Sequence, residues 1–202
     1  WKQKRFKQPW YLGETVITSI GQGYTLVTPI QLAQAVATLA SGGVAIQPRL
    51  VQSIKNNQTG KIEIFKNKTV KELHLKPEHL ALVKEGMMNV TQPGGTAASV
   101  GAGTPYKIAA KTGTAQVVQM KTNEKYNPNR MNERHRDHAL FIAYAPAEDP
   151  TIAIALIVEN GGHGGSTAGP IARKLMDYYL LKKVSLNKED NKVGSLESES
   201  HD

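Results

Sequence analysis

The 202-residue chain contains no cysteine, which excludes a disulfide framework and any thiolate metal site and leaves the redox compartment open. It has no apolar run long enough to cross a bilayer, and its opening, WKQKRFKQPW, lacks the apolar centre of a signal peptide. Negative charge is scarce as well: 17 acidic residues stand against 25 lysines and arginines, a net charge of +8. A balance of that sign suits nucleic acid, an anionic membrane face or an anionic polymer, and does not choose among them. An initiating Met is also missing, and the chain starts in mid-pattern with alternating bases and aromatics, so a piece of a longer protein is expected. The hydrophobic share of 40% is enough for a true core and excludes disorder throughout.

The clearest helix falls within residues 24–43, YTLVTPIQLAQAVATLASGG. Thr28 caps it, Pro29 fits the first helical position, Gln31 completes a Thr-x-x-Gln capping box, and Gly42 and Gly43 end it. Ile30, Ala33, Ala37 and Ala40 line one side while Leu32, Val36 and Leu39 add a second row, a broad apolar stripe that predicts burial. Within residues 44–65, VAIQPRLVQSI, a turn at NNQTGK and the alternating IEIF predict a hairpin. Residues 77–91 place Leu80, Val83, Met87 and Val90 at helical spacing between a proline start and QPGG, with Met87 and Met88 as core and cap.

Residues 108–118 read as a strand, and 119–137 as a long polar connection of the kind that is usually functional or mobile. Two apolar strands, 139–145 and 151–159, joined by a short turn carrying Pro146 and Pro150, predict an antiparallel hairpin. NGGHGG breaks it, and STAGPIARKLMDYYL resumes helix with Ile171, Leu175, Tyr178 and Tyr179 inward. Residues 182–202 are charged, Ser-rich and aperiodic, which predicts a disordered polar tail behind one domain spanning 1–181. The fold class is α+β: the strand at 108–118 and the following hairpin form an antiparallel sheet packed by the C-terminal helix, with a helical portion between 24 and 91. There is no internal repeat.

The stretch KIAAKTGTAQVV (107–118) sets Lys111, Thr112, Gly113 and Thr114 into an apolar strand. An acyl-transfer site for a peptide ending in a carboxylate needs a cation, a hydroxyl donor and a backbone that can pair with the substrate. Lys-Thr-Gly on a strand supplies all three. The glycine lets a ligand reach the backbone, and the N–H of the next residue can face a developing oxyanion. At a sheet edge, a peptide can add alongside as a further strand. The triplet alone arises often by chance, so its context decides.

That context is GQGYTLVTPIQLAQAVATLASGG (21–43), GGTA (94–97), AAKTGTAQ (109–116), DHALFIAYAP (137–146) and IAIALIVENGGHGGSTAGPIARKLMD (152–177). In order and spacing, over about residues 1–180, the chain resembles the C-terminal half of the transpeptidase domain of class B penicillin-binding proteins, the cell-elongation subfamily above all. The resemblance implies a penicillin-binding/β-lactamase-like transpeptidase fold. It implies a parent serine D,D-transpeptidase that cross-links peptidoglycan stem peptides through an acyl-enzyme and is acylated by β-lactam antibiotics. It calls for no cofactor, no metal and no nucleic acid. It places the parent at the periplasmic face of the bacterial inner membrane, held by an anchor not in this sequence and working with cell-elongation proteins. On the same footing, Lys111 lies at the floor of the site and supports the proton relay, and Thr112 and Thr114 bind the carboxylate end of the peptide or β-lactam. Thr114 N–H is then half of the oxyanion hole, Gly113 admits the ligand and Gln116 lines the same edge; His163, between glycine pairs before a helix, reads as part of a turn or hinge, and the resemblance, which places it near the mouth, adds substrate contact as the alternative.

The family also uses Ser-x-x-Lys for nucleophile and base and Ser-x-Asn for the relay. Only Ser185-Leu186-Asn187-Lys188 fits either spacing, and it fits both at once where two different serines are required. It lies in the polar tail and reads as coincidence. In the family both motifs precede the point where this sequence begins, so the nucleophile is expected upstream of Trp1 and the chain alone is predicted to be inactive. The alternative is a catalytically inactive module of the same fold that binds peptide or peptidoglycan; a nucleic-acid binder rests on charge alone. His135, Asp137 and His138 in ERHRDH have His-x-x-His spacing but no third ligand at motif distance, so a solvated or substrate-facing loop is preferred to a metal site. The basic aromatic opening reads as a surface loop with buried Trp anchors.

Overall fold

The computed structural model describes residues 1–118 and 132–181. The tail at 182–202, with its Ser-x-x-Lys coincidence, and most of the polar connection therefore lie outside the described residues. The chain opens with two helices that the sequence reading missed, α1 (Lys2–Phe6) and α2 (Leu12–Ser19). Their tryptophans are not buried anchors: Trp1 is 64% exposed, and the buried residue is Lys2. Its ammonium is paired with Glu14 and lies 4.5 Å from the Tyr11 ring centre, so the aromatic faces cover the lysine rather than being covered. The ion pair also holds the Glu14 carboxyl below the usual carboxylate range.

Helix α3 (Pro29–Ala40) begins as its sequence predicts: Gln31 N–H donates to Thr28 Oγ1 at 3.3 Å and Thr28 N–H to Gln31 Oε1 at 2.8 Å. Only its second half is buried, through Val36, Thr38 and Ala40, while Ile30 stands in solvent. Next come β1 (Val44–Ile46), β2 (Ser53–Lys55), β3 (Ile62–Ile64) and β4 (Thr69–Glu72). The expected hairpin is β2 with β3, whereas β1 pairs with β4, a short strand with no alternation to reveal it. Helix α4 (Pro77–Asn89) follows its predicted span and buries Met87, then α5 (Ala98–Gly101) makes a single turn.

The centre of the molecule is a sheet in the order β5-β6-β7, built from β5 (Ala109–Ala115), β6 (His138–Ala145) and β7 (Ile152–Val158), antiparallel throughout. Alternation assigns its faces. Ala110, Phe141 and Ala143 pack on one side with Ala172 and Met176 of α6 (Gly169–Leu181). Ala109 and Tyr144 pack on the other with Val36 and Ala40 of α3 and Met87 of α4. Helix α6 faces the other way from the expected one: Ile171, Leu175, Tyr178 and Tyr179 are all exposed, and the inward row is Gly169, Ala172 and Met176. Small residues decide it, because a Cβ on Gly169 would come within 2.7 Å of Val100. An Arg173–Asp177–Tyr106 network then ties α6 to the segment before β5, with Tyr106 Oη donating to Asp177 at 2.6 Å and Arg173 donating to Asp177 at 2.7 Å.

Candidate active site

Strand β5 pairs on one side only, with β6, in the register Lys111↔Ile142, Gly113↔Leu140 and Ala115↔His138. Its other border carries no strand among the described residues. In an antiparallel strand the N–H and C=O of one residue point the same way. The Thr114 carbonyl accepts the Gln22 side-chain amide at 3.3 Å from outside the sheet, so Thr114 N–H also faces outward. Thr112 has the same orientation, and its carbonyl accepts Lys111 Nζ at 2.7 Å. The border therefore presents two outward main-chain pairs and an ammonium.

A groove of about 400 Å3 runs along this border. Lys111, Thr112, Gly113, Thr114 and Gln116 all line it, facing Gln22 and Leu26 from the turn before α3. Gly21 and Gly23 both have φ near +77, which lets that turn present Gln22 to the strand. Gln22 and Thr96 are the neighbours that the sequence reading left without a role. Thr96 Oγ1 lies 3.2 Å from Thr112 Oγ1, so the hydroxyl expected on the ligand is already half engaged. Both residues sit in short glycine-flanked motifs, GQG and GGTA, and that flanking was the available signal.

His163 is not among the residues lining the groove. It starts a π-helical turn, Gly164–Ala168, whose first residue is pressed onto the back of the site: a Cβ on Gly164 would lie 2.1 Å from Leu140 O and 2.5 Å from Gly113 O. NGGHGG is thus a packing surface as well as a break. No serine lines the groove among the described residues. His135, Asp137 and His138 do not converge on a common point, and no group of three potential metal ligands forms among the described residues. Instead, Asn160 N–H donates to His138 Nδ1 at 2.8 Å and its side-chain amide donates to the carbonyls of Arg134 and Arg136, clamping that loop to the end of β7.

The family model of the penicillin-binding protein transpeptidase domain matches residues 4–177, and the chain belongs to that family. It is 43% identical over 183 residues to the peptidoglycan D,D-transpeptidase MrdA of Escherichia coli K12, covering 90% of this chain and 28% of that protein. The crystal structure of Pseudomonas aeruginosa PBP2 in complex with WCK 5153 matches with a TM-score of 0.73 at 41% identity, over 91% of this chain and 36% of that one. Helicobacter pylori PBP2, solved as a complex with MreC, matches with a TM-score of 0.66 at 32% identity, over 90% of this chain and 30% of that one. The chain thus spans under a third of the length of the curated relatives it matches. The likeness to elongation-type penicillin-binding proteins and the α+β transpeptidase fold read from the sequence are both met.

Proposed function

We infer that this chain is the substrate-holding part of a serine-type peptidoglycan D,D-transpeptidase, with residues 1–181 forming the C-terminal half of its transpeptidase domain. One observation carries the reading: a strand border, with no partner strand among the described residues, that turns the main-chain groups of Thr112 and Thr114 and the ammonium of Lys111 into a groove. A stem peptide, or a β-lactam in its place, lies along β5 and takes the outward carbonyl and N–H groups as a partner strand would. Its terminal carboxylate meets the hydroxyls of Thr112 and Thr114 and the positive charge of Lys111. Thr114 N–H donates to the oxyanion of the tetrahedral intermediate, a contact of about 3 kcal/mol in acyl enzymes. Gln22 occupies the Thr114 carbonyl in the free site and is displaced by the arriving peptide. The attacking serine and its relay partners come from a part of the protein outside this sequence.

No helix among the described residues is long and apolar enough to cross a membrane. Anchoring at the periplasmic face of the inner membrane, and association with cell-elongation proteins of the MreC kind, are assigned by kinship with proteins such as the Helicobacter pylori pair. The test is fluorescent penicillin labelling of the full-length protein. Lys111→Ala and Gly113→Val are each expected to slow labelling by about a hundredfold, and undiminished labelling of both overturns the site. The inactive-module reading is favoured by the serine-free groove, and it requires a full-length protein that binds stem peptide yet is never labelled.

A further inference from the structure

From residue 46 to residue 79 almost the whole chain stands in solvent, no side chain being buried. The stretch 44–76 holds seven lysines and arginines against two glutamates, so it carries +5 of the net +8. None of these cations has a carboxylate at ion-pair distance, because the pairs formed among the described residues are Lys2–Glu14, Lys107–Glu148 and Arg173–Asp177. Two-stranded ladders without a core are marginal by themselves. This arm nevertheless also exposes Ile54, Ile62, Ile64 and Val70 by more than half.

Where the two ladders join, the connectors between β1 and β2 and between β3 and β4 enclose a concavity of about 430 Å3. Pro48, Leu50 and Phe65 give it apolar walls, and Arg49, Lys66 and Lys68 give it charge. Arg49 is already oriented: Nε and Nη2 donate to Asn67 Oδ1 at 3.1 and 2.9 Å, and Nη1 donates to the Val51 carbonyl at 3.3 Å. Each terminal nitrogen keeps one N–H, on a guanidinium whose plane is set, and a fork of that kind takes a carboxylate through two parallel bonds.

We propose that this arm is a second binding site, for a carboxylate-rich peptide with small apolar side chains. Arg49, Lys66 and Lys68 hold its carboxylates, and its methyl groups enter the concavity. The arm shares no lining residue with the groove beside β5. A bilayer is the poorer fit, because the register Ile54↔Glu63 and Lys55↔Ile62 splits the apolar side chains between both faces of the β2–β3 ladder and leaves no single plane to insert. Resting on the function proposed above, the peptide is identified as the stem peptide of peptidoglycan, gripped by the arm at a distance from the acyl-transfer groove.

The experiment uses the full-length protein, a variant with Arg49→Glu, Lys66→Glu and Lys68→Glu, and a charge-matched control with Lys4→Glu, Lys7→Glu and Lys174→Glu. Binding is read by anisotropy of a fluorescein-labelled stem peptide and by cosedimentation with phosphatidylglycerol vesicles, with fluorescent penicillin labelling in parallel. The arm variant is expected to bind the peptide about tenfold more weakly while the control stays within about twofold, and all three are labelled by penicillin at one rate. Peptide binding that falls equally in arm variant and control, or not at all, overturns the proposal. So does an arm whose charges matter for vesicles and not for peptide. A wild-type protein that penicillin never labels instead overturns the transpeptidase reading, and the anisotropy still judges the arm by its own chemistry.

Discussion

Phe141 and Ile64 are both large apolar residues on β-strands, yet Phe141 has no exposed surface and Ile64 is 70% exposed. The first belongs to a sheet with helices on both faces, the second to a two-stranded ladder exposed along its whole length among the described residues. The difference separates two ways of holding a strand. In the sheet, burial fixes register and so fixes which main-chain groups of β5 point outward, and the groove beside β5 inherits its precision from the core. In the arm, register comes from turn chemistry alone, through Asn56 Oδ1 accepting the N–H groups of Gln58 and Thr59 at 2.9 and 3.0 Å.

The largest expected effect breaks this comparison most directly. Phe141→Ala is expected to cost about 3–5 kcal/mol of stability and Ile64→Ala less than about 0.5 kcal/mol, both read from urea unfolding midpoints. Equal costs would mean that the arm is packed after all. Next in size, Gly164→Ala forces a methyl group against the carbonyls of Leu140 and Gly113 and is expected to cost about 1–3 kcal/mol. Gly86→Ala, in α4 with nothing within 4 Å of the new atom, is expected to gain up to about 1 kcal/mol. Thermal unfolding of the pair sharpens the distinction between a glycine required by packing and one that is not.

The smallest effect is a dependence on pH. Burial, and then the Asp177 carboxylate, push the Tyr106 phenol above its ordinary value of 10.0. A phenol that holds its proton longer in the folded state than in the unfolded one contributes stability that is complete below about pH 10 and is lost as pH rises through the alkaline range. Melting temperatures between pH 8 and 11 are expected to fall less steeply for Tyr106→Phe than for the parent; parallel curves would remove Tyr106 from the account.

Much of this was legible in the chain itself, and what was not has physical causes. The Thr28–Gln31 box, the strand around Lys111 and the hairpin that follows are local patterns, set by neighbours in sequence, and they appear in place. The inward face of α6 is not local. Ile171 and Leu175 outrank Ala172 in hydrophobicity, but only the row Gly169–Ala172–Met176 is narrow enough to approach Phe141 and Val100. The opening departs from its expected Trp anchors for a similar reason, since the burial of Lys2 depends on Glu14 and on rings gathered from Tyr11 and Tyr24. Of the residues lining the groove, the quartet 111–114 and Gln116 could be picked out from the strand motif. Gln22 and Thr96 act across the chain, through contacts at separations of 92 and 16 residues that no spacing rule encodes.

The outward N–H and C=O groups of Thr112 and Thr114 belong to the main chain, and no substitution removes them except proline, which deletes the N–H and disrupts the strand with it. Other substitutions reach these groups indirectly, by filling the groove in front of them or by moving the strand, and the strand is held by Gly164 behind it, Leu140 beside it and Gln22 in front. Inherited tolerance to a compound that reads this ledge should therefore accumulate at those three supports before it touches the ledge itself.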